Sequence, residues 1–442
     1  MNVISVGRTV WTHALKWKYE AFWVFIGQFG IAAGVLLGVK LLTYVLDPVE
    51  FGRLTLANTI VLLIGVNLFG PLGHGFMRFW SISRERNCVK EFLESANFLA
   101  KVLAAIITAL GLLLLVFSCF PGSSHWLPVI SLAILVGVMT GFCGLRLAVF
   151  LAARKRKTVA LVNSGTAFLK PLMAVLFVLV MIRSAQYALW GYLVAVSAVM
   201  CIVEVLYRRL PGSGIQSRVP PAASVREMHG LSREILSFSW PFCAWGMVVW
   251  IHQSCDKWAV LTFHGADAVG EFSVTALLAF YPLVFASGFL INLFMPIAYE
   301  RAGDLYAHQA VRSAHRCLLL MTGCYIVSAV LLIIIFGIFN KMLIVLISNP
   351  KYIEFSYLLP GLAVSWALFY LGETLTGFGL IAKNPKVYIL PKFISGTIAA
   401  AGAFYLSSKI GVPGVVWGLG IAGLVYALWC TIVALRCLQY RS

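Results

Sequence analysis

Charge is what this chain has least of. Asp, Glu, Lys and Arg together make up 11% of its 442 residues, less than half the roughly 25% typical of a soluble domain. Mean hydropathy is +0.92 and apolar types reach 61%. A water-facing surface cannot be built from that inventory, which excludes a secreted protein, a cytosolic enzyme and a disordered chain. Aspartate is scarcest, with only Asp47, Asp256, Asp267 and Asp304. No Asp-x-Asp is present to hold a metal–nucleotide-sugar complex. There is no Gly-Lys dipeptide for a P-loop and no His-Glu-x-x-His, so neither a built-in ATPase nor a zinc hydrolase is expected. The ten cysteines contain no Cys-x-x-Cys and fall mostly inside apolar runs, so they read as small core hydrophobes rather than disulfides or zinc ligands. No cofactor is expected. The start of the chain has basic residues up to Lys18 and no short apolar core ending at a small-residue cleavage site, so no cleavable signal peptide is expected.

What is abundant is long apolar runs. A helix needs about 20 apolar residues to cross the hydrocarbon, and twelve segments qualify: roughly 19–46, 55–77, 93–118, 127–150, 159–182, 187–207, 236–262, 271–297, 314–338, 355–381, 388–408 and 413–435. They lack period-2 alternation, which favours helices over a barrel. The fold class expected is an all-α integral membrane protein of about twelve spans. Basic residues set the orientation. Twenty-three of the 34 fall at the N-terminus, in the 2/3, 4/5, 6/7, 8/9 and 10/11 connections and in the tail, against five (Arg53, Arg183, Lys341, Lys351, Lys409) on the other side. Both termini are therefore expected in the cytoplasm. That asymmetry absorbs most of the +18 net charge, leaving little for nucleic acid to explain.

The longest polar stretch, 208–235, is rich in Pro, Gly, Ser and Arg and reads as a cytoplasmic linker. It divides the chain into an N-terminal six-helix bundle, 1–207, and a C-terminal six-helix bundle, 236–442. Internal echoes support a duplication. LDPVEFGRLTLA (46–57) resembles GADAVGEFSVTALLA (265–279), aligning Gly52 with Gly270. Ser164-Gly165-Thr166 matches Ser395-Gly396-Thr397, and LWGYLVA (189–195) matches VWGLGIA (416–422). The offsets are 218, 231 and 227. An even span count per half makes the repeat parallel, with a pseudo-two-fold axis along the membrane normal and a central cavity. Gly30, Gly34 and Gly38, and the pairs Gly137/Gly141 and Gly414/Gly418, have the spacing of close helix packing. The longest external loop, 339–353, is too short for a catalytic domain.

An ionisable residue near a helix centre costs roughly 2.5–3.5 kcal/mol on insertion scales and is a functional candidate. The set here is Lys40, Lys101, Arg146, Lys170, Asp256, Lys257, Glu373 and Lys392, with Glu204 near an end. Lys170 sits about 16 Å from the cytoplasmic end, near the midplane, where a lysine cannot easily snorkel. Arg146, Lys392 and Glu204 lie near enough to the cytoplasm to do so. Lys40 precedes Gly52 by 12 residues and Lys257 precedes Gly270 by 13. Lys40 and Lys257 are thus expected to face each other as a cationic clamp, the alternative being that Lys257 pairs with a carboxylate on another helix while Lys40 snorkels. Asp256 is adjacent to Lys257 and need not pair with it. A cationic cavity would draw on Lys40, Lys170, Lys257, Lys101 and Arg146. Asp256, Glu373 and His252 would couple an ion or compensate charge.

These residues resemble the polysaccharide transporter family, the O-antigen and exopolysaccharide flippases of the multidrug/oligosaccharidyl-lipid/polysaccharide (MOP) exporter superfamily. The resembling stretches are LLTYVLDPVEFGRLTLA (41–57), Arg78-Phe79-Trp80, DKWAVLTFHGADAVGEFSV (256–274) and KIGVPGVVWGLGIAGLVYAL (409–428). The resemblance implies alternating-access translocation of undecaprenyl-pyrophosphate-linked oligosaccharide from the cytoplasmic to the periplasmic leaflet of a bacterial inner membrane. Membrane lipids and the polysaccharide polymerase and chain-length machinery would be its partners. Other readings are a cation-coupled drug exporter of the same superfamily, for which an anionic lining would be expected, a membrane polymerase or glycosyltransferase, and a non-transporting assembly scaffold. The orientation is directly testable. In a cysteine-free background, Lys155→Cys is expected to react with a membrane-impermeant thiol reagent only from the cytoplasm and Lys351→Cys only from outside; the opposite pattern would invert the topology.

Overall fold

The computed structural model describes residues 3–86, 88–122, 124–210, 221–302, 308–382 and 384–439. Asp304, Lys383, Arg218, Arg441 and the middle of the expected linker lie outside them. Thirteen α-helices run through the described residues and no strand occurs among them. In order they are α1 (Val3–Val45), α2 (Pro48–Ile64), α3 (Gly70–Glu85), α4 (Val89–Phe117), α5 (Leu127–Ala152), α6 (Arg156–Val180), α7 (Ala185–Arg208), α8 (Pro221–Ser239), α9 (Pro241–Ala302), α10 (His308–Ile347), α11 (Leu359–Ile381), α12 (Ile389–Ile410) and α13 (Pro413–Gln439). A π-turn at Gly65–Phe69 joins α2 to α3 as one long crossing. Apart from a turn at Trp240, the 73-residue stretch Gly230–Ala302 is helical. A straight helix of that length would be about 110 Å, more than twice a bilayer. It breaks at Gly265, whose φ of +88° only glycine adopts freely, giving two crossings and about twelve in all.

The helix ends differ from expectation in three places. α10 continues through Lys341 to Ile347 with a kink at Phe339, so most of the loop expected over 339–353 is helix; its apolar run outlasts the bilayer. Residues 221–235 of the expected linker are helical and continue as α8, whose Ile235 is fully buried against the α3–α4 surface. An amphipathic pattern there outweighs the Pro and Gly before it. α1 begins at Val3, well before residue 19.

For the ends of the assembly, "basic" denotes the one carrying residues 78–90 and 154–157, and "far" the opposite one. The small-residue spacings all mark helix contacts. A Cβ on Gly30 would lie 2.2 Å from Ser164 Oγ, and one on Gly34 would meet Ala167 at 2.7 Å, so α1 lies directly on α6. Gly137 and Gly141 receive Ile64 and Phe69, and Gly414 and Gly418 receive α12. α1–α7 pack mainly on one another, as do α9–α13, and α2 against α9 is the principal join between the two groups.

That join is closest at the far end. Gly52 and Gly270, which the internal repeat aligns, lie backbone to backbone: a Cβ on Gly52 would sit 2.0 Å from Ala266 O, and one on Gly270 1.9 Å from Pro48 O. Around them, Lys40 Nζ donates to Val345 O and Ser348 O at 3.1 and 3.3 Å. Thr43 Oγ1 accepts from the Asn349 N–H, and Leu46 O accepts from Lys351 Nζ and from Tyr352 OH. The basic end is joined by side chains instead. Phe25 of α1 meets Phe285 and Phe289 of α9 at 5.8 and 5.5 Å, His74 stacks on Phe242 at 4.9 Å, and Phe79 packs on Phe238. Gly270→Leu is expected to lower stability by about 1–3 kcal/mol through overpacking, read as a lower melting temperature of the purified protein. Gly337→Ala, where nothing lies within 4 Å, should leave it nearly unchanged.

Candidate functional site: a central cavity with one free lysine

A cavity of about 580 Å³ lies between α1, α2, α6 and α7 on one side and α9 and α11 on the other. Its apolar wall comes from α1 (Ile31, Val35, Val39, Leu42). Leu54 and Leu62 of α2 and Leu277 of α9 add to it, and the polar and aromatic lining is Thr55, Asn58 and Thr59 from α2; Asn163, Thr166 and Lys170 from α6; Tyr192 from α7; Gln253, Ser254, Asp256, Lys257, Phe280 and Tyr281 from α9; and Trp366 from α11. Thr59 is bound from across the join by Trp258 Nε1 to its hydroxyl at 3.0 Å and Trp250 Nε1 to its carbonyl at 2.7 Å. These bonds hold α9 against α2 and frame the cavity. Phe280 meets Trp366 edge-on at 4.7 Å.

Three of the charged residues singled out from sequence line this space: Lys170, Asp256 and Lys257. Lys257 and Asp256 do pair, contrary to the expectation for neighbours on a helix. Both carboxylate oxygens lie 3.2 Å from Lys257 Nζ, because the long lysine stem folds back along the helix and also reaches Gln253 O. Lys170 Nζ sits 4.8 Å from the Tyr192 ring centroid, a cation–π contact of about 0.5–2 kcal/mol. No described carboxylate lies within ion-pair distance of it. The cavity thus holds two cations and one anion, and the anion is committed to Lys257.

The other sequence candidates lie elsewhere. Lys40 is not opposite Lys257 in a clamp; it binds the carbonyls at the C-terminus of α10, where a cation also meets the negative end of the helix dipole. Lys101 is exposed on the outer surface of α4. Arg146 is buried inside the first group of helices, where Nε meets Glu204 at 3.2 Å, Nη1 binds Asn97 and the guanidinium lies 4.0 Å from the Tyr207 ring. Glu373 is ion-paired with Lys392 at 2.6 Å and accepts from Tyr426 OH at 2.8 Å. Lys392 lies 4.3 Å from the Trp245 ring. His252 is buried, stacked on Phe369 at 4.1 Å. At the far end, burial holds the Lys351 ammonium below its ordinary value, with Asp47 acting to raise it and Arg183 to lower it. Sequence reasoning missed the amide and phenol lining. Asn58, Asn163 and Tyr192 are polar residues within apolar runs, a signal that was available, but their faces were not assigned. No described group of His, Cys, Asp and Glu could hold a metal ion.

With this geometry in place, comparison of the whole fold is informative. The multidrug transporter DinF-BH aligns with a TM-score of 0.65 over 95% of each chain at 17% identity. The lipid II flippase MurJ aligns at 0.65 over 96% of this chain and 90% of that one at 14% identity. The chain shares the fold of these proteins. A MOP superfamily transporter from Pyrococcus furiosus, described as having a binding pocket of reverse polarity, aligns at 0.61 over 95% of each chain at 12% identity. No family model and no curated protein sequence matches the chain.

The Glu373–Lys392 pair crosses helices in a low-dielectric setting, so removing one partner leaves a buried charge. Glu373→Gln should cost about 3–5 kcal/mol. Adding Lys392→Met should recover most of it. Thermal unfolding of the two variants checks this, and a single variant no less stable than the double would refute it.

Proposed function

We propose that this protein is a flippase moving an undecaprenyl-pyrophosphate-linked oligosaccharide, an O-antigen or exopolysaccharide repeat unit, from the cytoplasmic to the periplasmic leaflet by alternating access. The observation that carries the reading is the cavity at the centre of a transporter fold, with one unpaired lysine near the midplane among amides, hydroxyls and aromatic rings. A phosphate is the natural partner of a buried ammonium, and sugars suit hydrogen-bonding side chains beside ring faces. The neighbour named as a lipid II flippase supports the same class. A carrier of cationic drugs is less well served, because the one acid in the lining is already paired.

Residues 1–207 and 236–442 are the units that would rock, with α2 and α9 as their contact. The far end, joined through backbone at Gly52 and Gly270, would be the closed outer side. The basic end, joined through partly exposed aromatic side chains, would open first. Energy would come from an ion gradient or from the substrate's own concentration difference.

The test is the leaflet location of lipid-linked oligosaccharide in cells lacking the protein, read with a probe confined to the periplasmic face. Completed units should accumulate in the cytoplasmic leaflet, and the intact gene, but not Lys170→Met, should cure the defect. Single units already exposed in the periplasm would place the block after translocation and overturn the reading.

A further inference from the structure

The cavity contains a second cation that is occupied but not trapped. Lys257 Nζ holds both oxygens of Asp256 at 3.2 Å and the Gln253 carbonyl at 3.3 Å, all on its own helix. Rotating the lysine stem is therefore enough to break the pair; no helix has to move. The usual obstacle to breaking a buried ion pair is the carboxylate left behind. Here Asp256 keeps a partner, because the Lys257 backbone N–H donates to Oδ1 at 2.8 Å independently of the side chain. Asp256 is almost completely enclosed, whereas Lys257 retains 12% side-chain exposure toward the cavity. By contrast, the pairs Arg146–Glu204 and Lys392–Glu373 each tie two helices together, and releasing them would disturb packing.

We propose that Lys257 is a releasable cation that lets the cavity select a diphosphate over a monophosphate. This rests on the reading of the cavity as a polyprenyl-phosphate site. A sugar joined to its carrier through one phosphate brings one negative charge, which Lys170 answers. Joined through two, it brings a second. That charge competes with Asp256 for Lys257, and two cations then face two phosphates while Asp256 remains on its backbone donor. Asp256 is the specificity-determining residue, since it sets how much negative charge a ligand must bring to recruit Lys257.

The experiment is a binding titration on the full chain in nanodiscs, using one sugar joined to one polyprenol through either a diphosphate or a monophosphate. The diphosphate should bind more tightly by on the order of tenfold, the value of one added charge-assisted contact. In Lys257→Met that ratio should fall to about one, and Lys257→Arg should restore it. Asp256→Asn should raise diphosphate affinity, because Lys257 is then free from the start. An unchanged ratio in Lys257→Met overturns the proposal, as does an Asp256→Asn variant that loses diphosphate binding, which would make Asp256 a mere support for the lysine. If neither lipid binds the unaltered protein, or if Lys170→Met binds both normally, the polyprenyl-phosphate reading fails and takes the proposal with it, an outcome distinct from a failure of Lys257 alone. Inorganic diphosphate should compete weakly. Competition equal to the lipid, still dependent on Lys257, would support the releasable lysine with a soluble anion as ligand.

Discussion

The join between the two groups of helices depends on two backbones touching without side chains between them. Gly52 and Gly270 are each placed so that a single carbon would fall about 2 Å from a carbonyl oxygen of the facing helix. Close backbone approach of this kind supplies dispersion contacts that lipid cannot compete for, which is what holds helices together where no hydrophobic effect acts between them. Because α2 and α9 touch there, Trp250 and Trp258 come within reach of Thr59 two turns further in. The cavity opens beside this seam, lined by α2 from Phe51 to Leu62 and by α9 from Gln253 to Tyr281. The seam thus forms one edge of the site.

Electrostatics follows from the same geometry. Buried charges in hydrocarbon are tolerated when paired locally, and both groups of helices do this away from the join. Arg146 is neutralised by Glu204 and Lys392 by Glu373, each pair with aromatic rings alongside. Asp256 and Lys257 neutralise each other at the cavity wall. Lys170 is left as the cation with only a ring for company, and so it dominates the field inside the cavity. A count of charged residues in the spans does not convey this; only their partners do.

Much of the architecture was readable from the chain. Runs of apolar residues long enough to span a bilayer have few alternatives, so the helical class and the number of crossings followed from length alone. The Gly30/Gly34/Gly38 spacing correctly indicated packing, since a strip of small residues leaves a groove that only another helix fills. Lys170 could be placed near the midplane by counting residues from the basic end. The partner of Lys40 could not. Its depth matched Lys257, but depth does not fix the face of a helix, and Lys40 turns toward the end of α10. The pairing of Asp256 with Lys257 was likewise hidden, because adjacent positions diverge at Cβ and meet only through the flexible lysine stem. Asn58, Asn163 and Tyr192 required knowledge of which helices surround the void.

The two neutralised clusters make each group of helices electrostatically self-sufficient. Arg146 and Glu373 are separated by 227 residues, the same spacing that relates LWGYLVA to VWGLGIA, and they lie on α5 and α11, which occupy matching places in the order of helices. Their charges are opposite. Each cluster is complete within its own half, Arg146 with Glu204 and Glu373 with Lys392, so neither buried charge draws its partner from across the join. The two groups of helices share an outline, and each balances its own buried charge. A movement of one group of helices against the other would therefore leave both ion pairs intact.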